Sequence, residues 1–236
     1  MPSLSPRTAL LLILASLALV SPASIHTWQW QEGGLQPALF PAGAQALRMR
    51  ASIDLDGDGL PETLSLKDGR AAILSASRVR WQSPPAWQVR QALFADLNHD
   101  GRTDAVLLVW RPFQPWPVDA WLPSGGRIEN FHDAAGMSCQ IILIGWRGSE
   151  YGELWAGSAL AEPVRSFAVA DLNGDNIQEL VTLEGRYADS RSAPASALKV
   201  WDWNGFGFTV LSSLPGTFYE MALVQAADGR YLILSQ

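Results

Sequence analysis

Residues 170–181 read ADLNGDNIQELV, and this stretch decides the fold. An apolar run at 167–170 enters a turn dense in side-chain oxygens, and an alternating, strand-like run leaves it. The same pattern recurs as DLDGDGLPE at 54–62 and as DLNHDGRTD at 96–104. Three copies in the same strand–loop–strand setting form an internal repeat, and a repeat of this kind governs the interpretation of the whole chain.

Each acidic loop offers side-chain oxygens at positions 1, 3, 5 and 9 and a backbone carbonyl at position 7, which is a ligand set for a hard cation such as calcium. An EF-hand would need a bidentate Glu at position 12 and a helix after it. Position 12 is instead Ser65, Leu107 and Thr182, and strand-like sequence follows. One such loop is equally compatible with a solvated Asx-rich turn. Three copies in register favour a metal site.

Position 6 of each loop is a residue that tolerates a left-handed backbone: Gly59, Gly101 and Asn176. The remainder of the chain consists of short strand-like runs separated by turns, as at 198–203 and 208–211 around Asn204 and Gly205. No stretch after the N-terminus shows a sustained helical period. These patterns predict an all-β fold, a small β-propeller of about four four-stranded blades.

The predicted blades place each acidic loop between strands A and B, and the first three blades begin near residues 46, 88 and 165. The fourth blade has only strand A at 218–224 and strand B at 231–234, after a corner at 213–216. Its missing strands are predicted to be the N-terminal hairpin at 28–40, which would close the ring and cover two strand edges. The fourth A–B turn, at 226–229, is predicted to hold no metal.

Composition limits the possible partners. The chain has 236 residues and a net charge of −6, which argues against nucleic acid because phosphate binding needs a basic patch. Ten of the 23 acidic residues lie in the three loops, four in the first and three in each of the others. The single cysteine, Cys139, is predicted to be a buried strand residue. The strand tryptophans among the 11 in the chain are predicted to fill the core.

The N-terminus has the pattern of an export signal. Arg7 supplies a positive charge, residues 9–20 are apolar, and 21–23 provide small residues for cleavage. The apolar run is shorter than the roughly 20 residues that span a bilayer, although an uncleaved anchor is the alternative. We therefore predict a signal peptide at 1–23, a propeller domain at 24–236, and a secreted, periplasmic or cell-surface location with no stable membrane span after cleavage.

An insertion at 111–137 is too rich in proline for a regular strand, and a second insertion runs from 187 to 197. Both connect strand B to strand C, so they lie at the ends of the strands opposite the acidic loops. The first insertion contains three aromatic residues that are candidates for ligand binding: Phe113, Trp116 and Trp121. Trp rings at such a surface could stack on sugars, or instead cap a blade or the central channel.

The three loops share the pattern D-x-[DN]-x-D-[GN]-x-x-[DE] after an apolar strand, which resembles the calcium loops of FG-GAP/VCBS repeats. These repeats build the β-propellers of integrin α-subunits and occur in many exported bacterial proteins. The resemblance implies about three structural calcium ions. It implies the following ligands, with the carbonyl at position 7 of each loop: Asp54, Asp56, Asp58, Leu60 and Glu62; Asp96, Asn98, Asp100, Arg102 and Asp104; Asp171, Asn173, Asp175, Ile177 and Glu179.

No catalytic constellation can be assembled from the sequence. His99 occupies a non-ligand loop position, His26 lies near the cleavage site, and His132 beside Asp133 is a weak signal. We therefore predict a non-catalytic exported calcium-binding propeller, a binding or adhesion module whose long-loop face engages a protein or glycan at the cell surface. Oligomerisation is compatible with four blades. The alternative is an exported enzyme or enzyme subunit of hydrolase or lyase type that uses the insertion at 111–137.

Overall fold

The computed structural model describes residues 25–47, 49, 51–114 and 131–236. Within these ranges the chain is all-β, and no helix of the described residues could cross a membrane. The strands, in chain order, are β1 (His26–Gln31), β2 (Gly34–Pro37), β3 (Gln45–Ala46), β4 (Ser52–Ile53), β5 (Glu62–Lys67), β6 (Arg70–Ser75), β7 (Arg78–Gln82), β8 (Gln88–Ala95), β9 (Asp104–Pro112), β10 (Met137–Trp146), β11 (Tyr151–Ala156), β12 (Val164–Ala170), β13 (Glu179–Glu184), β14 (Ala195–Trp203), β15 (Phe208–Phe218), β16 (Met221–Gln225) and β17 (Tyr231–Ser235).

These strands form four antiparallel sheets, the blades of a four-bladed β-propeller, so the predicted fold class is confirmed. Three sheets have four strands each, in the orders β4-β5-β6-β7, β8-β9-β10-β11 and β12-β13-β14-β15. The fourth has the order β2-β1-β17-β16-β3. In the three regular blades the acidic loop lies between the first and second strands, as the repeat predicts.

The predicted closure of the fourth blade is also confirmed. Strand β1 pairs antiparallel with β17, with Trp28 opposite Ile233, and the indole N–H of Trp28 donates a hydrogen bond of 2.9 Å to Ser235 Oγ. The pairing covers edges of β1 and β17 that would otherwise present unpaired backbone groups. The sequence did not predict β3, whose two residues extend the same sheet through pairs such as Gln45 with Gln225.

Two predicted boundaries are wrong. The corner expected at 213–216 lies inside β15, so strand A of the fourth blade begins at Met221 rather than at 218. Pro215 is accommodated because β15 is an edge strand and the register shifts beside it, between Ala195 and Ala197 of β14. The first blade begins at Ser52 rather than near residue 46, since the segment at 45–46 pairs with β16 instead.

The structure divides into two compact units, each with its own core. In the unit formed by 49–167 and 184–193, β9 and β10 are buried on both faces, and Leu107, Val109, Ile142 and Ile144 pack in one cluster. Continuous apolar runs are expected for strands covered on both sides. Cys139 lies in β10 and is fully buried, as predicted.

The other unit comprises the N-terminal part up to residue 48, 168–183 and 194–236. One of its clusters joins Leu35 of β2 with Val181, Leu198 and Ile233, and the half-buried rings of Trp28 and Trp30 pack against it. The prediction that strand tryptophans contribute to the core is therefore confirmed for these two residues. A second cluster contains Leu234 of the closing strand.

Replacement of Leu234 by Ala should lower the free energy of unfolding by about 2–5 kcal/mol, because the side chain is fully buried and its removal leaves a cavity. Leu66→Ala is the matched control, since Leu66 lies in a strand with 42% of its surface exposed, and it should cost less than about 1 kcal/mol. Urea denaturation checks both values. Equal losses would show that the closing strand does not contribute to the core in this way.

Candidate metal centres

The three acidic loops share a left-handed backbone at two positions. Position 6 has a positive φ in each loop, as predicted, at Gly59 (85°), Gly101 (81°) and Asn176 (68°). Position 4 is left-handed as well, at Gly57 (78°), His99 (58°) and Gly174 (84°). The left-handed conformation at position 4 was not predicted, because the second loop has His99 there while the other two loops have glycine.

The loops also share their hydrogen bonds. The backbone N–H of position 6 donates to Oδ2 of the Asp at position 1, at 2.9 Å in every loop. The N–H of position 7 donates to Oδ1 of the Asp at position 5, at 2.8 Å in every loop. The N–H of position 5 donates to the side-chain oxygen of position 3, at 2.9–3.3 Å. These bonds fix the orientation of the side chains at positions 1, 3 and 5 in the same way in each loop.

Position 9 places a buried carboxyl group at the first residue of the strand that follows each loop, and these residues are Glu62, Asp104 and Glu179. The N–H of Leu55 donates to Glu62 Oε2 at 2.8 Å, and that of Leu172 donates to Glu179 Oε2 at 2.7 Å. Glu62 Oε1 and Asp104 Oδ2 are buried without a hydrogen-bond partner among the described residues. A buried carboxylate in that state is costly, and a bound cation would remove the cost.

The first loop fits a hard cation in geometry as well as in donor type. Oxygens of Asp54, Asp56 and Asp58 lie within 4.8 Å of one another, the one such group of three acidic, His or Cys residues in the described ranges. The side chain of Asp56 is only 3% exposed and lies 3.6 Å from the Arg80 guanidinium. The predicted carbonyl ligand, Leu60, follows within the same turn.

The second and third loops have Asn at position 3, and the amide N–H groups of this residue donate hydrogen bonds to neighbouring carboxylates. Asn173 Nδ2 donates to Asp175 Oδ2 at 3.0 Å and to Glu179 Oε1 at 2.7 Å. In the second loop Asn98 Nδ2 donates more weakly to Asp100 Oδ2, at 3.3 Å. The three acidic residues of the second loop, and those of the third, do not form a group as close as that of Asp54, Asp56 and Asp58, and that group does not include Glu62. The other predicted ligands of these two loops, Asp96, Arg102, Asp171 and Ile177, lie in the segments between the first and second strands of their blades.

Two of the buried carboxyl groups, those of Asp104 and Glu179, have raised pKa values. Burial raises the pKa of Asp104 to about 7, and the neighbouring carboxylates of Asp100 and Asp96 add to the effect. Burial likewise raises the pKa of Glu179 to about 7, assisted by Asp175 and Asp171 and opposed by the hydrogen bond from Leu172. Without a compensating positive charge, each group is therefore only partly ionised near neutral pH.

Gly145 of β10 makes room for Asp104. A Cβ atom at Gly145 would collide with Asp104 Oδ1 and would lie 2.5 Å from Leu154 Cδ1. The absence of a side chain at residue 145 thus allows the buried carboxyl of the second loop to occupy its place.

Gly145→Ala should lower the free energy of unfolding by about 1–3 kcal/mol, because the added methyl group forces Asp104 or its neighbours to move. The control is Gly34→Ala, where the nearest atom to the new Cβ would be Ser212 Oγ at an ordinary 3.7 Å. Thermal or urea unfolding of both variants measures the difference. A variant at residue 145 that is as stable as the control would contradict the close packing.

A cavity of about 570 Å³ opens beside the first two acidic loops. Its lining includes Asp54, Asp56, Arg102, Thr103 and Trp146. Trp146 was not among the functional residues predicted from the sequence. The antiparallel order of the blade offered a signal, because the turn between β10 and β11 must lie at the same end of the sheet as the loop between β8 and β9.

The insertion at 111–137 is described only at its two ends. The ring of Phe113 lies 5.2 Å from that of His132, centroid to centroid. The other two predicted aromatic residues, Trp116 and Trp121, lie outside the described residues, as does the predicted signal peptide. The second insertion, at 187–197, contacts the first through Arg191, which donates to Asp133 Oδ2 at 2.6 Å and lies 4.0 Å above the ring of Trp110.

The ion pair between Arg191 and Asp133 should stabilise the fold in a pH-dependent way. Burial acts to raise the pKa of Asp133, but hydrogen bonds from the Met137 N–H and from Arg191 outweigh it, so the pKa is lowered. The contribution is therefore fully present above the ordinary Asp pKa of about 3.9 and is lost as pH falls through the lowered value.

We expect Asp133→Asn to cost about 1–3 kcal/mol of unfolding free energy at pH 7 and progressively less below about pH 4. Denaturation of both proteins across this pH range provides the measurement. Asp228→Asn, which breaks a fully exposed pair with Arg230, is the control and should have little effect at any pH. A cost for Asp133→Asn that does not change with pH would disprove the electrostatic explanation.

No family model matches the sequence, and no curated protein matches it either.

Proposed function

We propose that the chain is an exported, calcium-stabilised β-propeller of the FG-GAP/VCBS repeat type that serves as a non-catalytic binding module. The observation that carries the calcium part is the repetition of one geometry. Three loops far apart in sequence share two left-handed residues and the same three classes of hydrogen bond. A cation common to the three loops would account for this repetition, and in the first loop oxygens of Asp54, Asp56 and Asp58 lie within 4.8 Å of one another.

The position of the loops supports a structural role for the cation. Each loop joins the first two strands of its blade, and its ninth residue is a buried carboxyl at the start of the second strand. A cation held by positions 1, 3, 5 and 9 would therefore connect the loop to the blade. Binding would then be coupled to local folding.

Two features of the described residues favour binding over catalysis. The thiol of Cys139 is fully buried, and burial raises its pKa to about 12, so it is not a thiolate at neutral pH. His132 Nδ1 lies 2.8 Å from the Asp133 carbonyl and its ring packs on Phe113, which is the setting of a structural histidine.

Calcium titration tests the proposal. The protein should bind three calcium ions, and binding should add about 2.7 kcal/mol of stability for each site when free calcium exceeds the dissociation constant about 100-fold. Isothermal titration calorimetry gives the stoichiometry, and thermal unfolding with calcium or with excess chelator gives the stabilisation. The same melting temperature in calcium and in chelator would refute a structural role for the cation.

Asp58→Asn should reduce the stoichiometry from three ions to two, because Asp58 belongs to the three-carboxylate group of the first loop. Asp68→Asn is the matched control. Asp68 has a positive φ of 51° in a turn outside the acidic loops, a conformation that Asn tolerates, so calcium binding should stay unchanged. Loss of an ion from both variants, or from neither, would contradict the assignment of the first site.

A further inference from the structure

We propose that the cavity beside the first two acidic loops is a saccharide-binding site with Trp146 as its stacking platform. The inference rests on the proposed role as a binding module and names the class of ligand and the place where it binds. The proposed site lies beside the acidic loops, whereas the sequence predicted ligand recognition at the long insertions. Every residue that lines the cavity belongs to the single compact unit formed by 49–167 and 184–193.

The cavity has the size and the construction of a small-molecule site. Its volume of about 570 Å³ lies within the range of about 300–1,000 Å³ that such sites occupy. One side is formed by the first loop, through Asp54 to Gly57, and another by Gly101 to Thr103 of the second loop. The turn that follows β10 closes the site with Trp146 and Gly148.

Trp146 is held in place before any ligand arrives. It is the last residue of β10 and pairs across the ladder with Tyr151, the first residue of β11. The two rings lie 5.0 Å apart, and Tyr151 is buried. The hairpin between them is closed by a 2.9 Å hydrogen bond from the Arg147 N–H to the Glu150 carbonyl. A half-buried indole fixed in this way offers a rigid apolar face at little entropic cost.

Polar groups surround this apolar face. Among the lining residues, Arg102 and Thr103 have side chains that can donate hydrogen bonds, and Asp54 and Asp56 have carboxylates whose remaining lone pairs can accept them beside the proposed calcium ion. A sugar ring requires this combination, because it has one face of C–H groups and a rim of hydroxyl groups that both donate and accept. An apolar ligand would bury the charged groups without partners.

The site can be tested apart from calcium binding because Arg102 contributes only its backbone carbonyl to the proposed ligand set. Replacing its side chain leaves every predicted calcium ligand in place. Trp146 is likewise no member of any acidic loop. A failure of saccharide binding can therefore be separated from a failure of the calcium proposal.

The experiment uses saturation-transfer-difference NMR on the full chain in calcium, with the methyl glycosides of glucose, galactose and N-acetylglucosamine and the disaccharides lactose and cellobiose as probes. At least one probe should give a saturable signal with the wild-type protein. Trp146→Ala and Arg102→Ala should each weaken binding of that probe about tenfold or more, a change of about 1.4 kcal/mol. Both variants should still bind three calcium ions by calorimetry.

Trp203→Ala is the matched control, since Trp203 is a half-buried strand tryptophan in the other unit and packs on Phe208. Its saccharide affinity should match the wild type within about twofold. Trp146→Phe serves as a second variant that keeps the packing on Tyr151 and should retain partial binding. The proposal is overturned if no probe binds the wild type, or if Trp146→Ala and Arg102→Ala bind as tightly as Trp203→Ala.

Discussion

A buried carboxyl group that begins the second strand of a blade is the constraint on which this structure depends. Glu62, Asp104 and Glu179 occupy that place in three successive blades. An isolated buried carboxylate is so costly that it must be protonated, hydrogen-bonded or paired with a cation. The surrounding loop adds side-chain oxygens that accept the same backbone hydrogen bonds in all three copies, and its backbone is left-handed at positions 4 and 6 each time.

The sequence was sufficient for the fold because its repeat unit is local. The acidic loop, the apolar strands around it and the Asn204–Gly205 turn are each defined by neighbours within about ten residues. The closure of the fourth blade could also be predicted, since two orphan strands at each end leave few ways to complete a sheet. The candidate ligands could be named for the same reason, because all of the predicted ligands of one loop lie within nine positions.

The features that the sequence did not predict depend on contacts between distant segments of the chain. The short strand β3 has two residues and no alternation, so only its pairing with β16 reveals it. Pro215 suggested a corner, but an edge strand with a shifted register accommodates it. The cavity beside the loops was missed because its lining comes from three separate segments of the chain, and no local pattern marks Trp146 as different from the other strand tryptophans.

The pairing of β1 with β17 has a consequence for the order of events during synthesis. Trp28 and Ser235 are separated by 207 positions, yet they share a hydrogen bond within one sheet. Strand β2 pairs with one edge of β1 soon after both are made, but the other edge of β1 has no partner until β17 has been made. Completion of this blade therefore depends on a long-range encounter between two local hairpins, which is expected to be slower than the formation of the hairpins themselves.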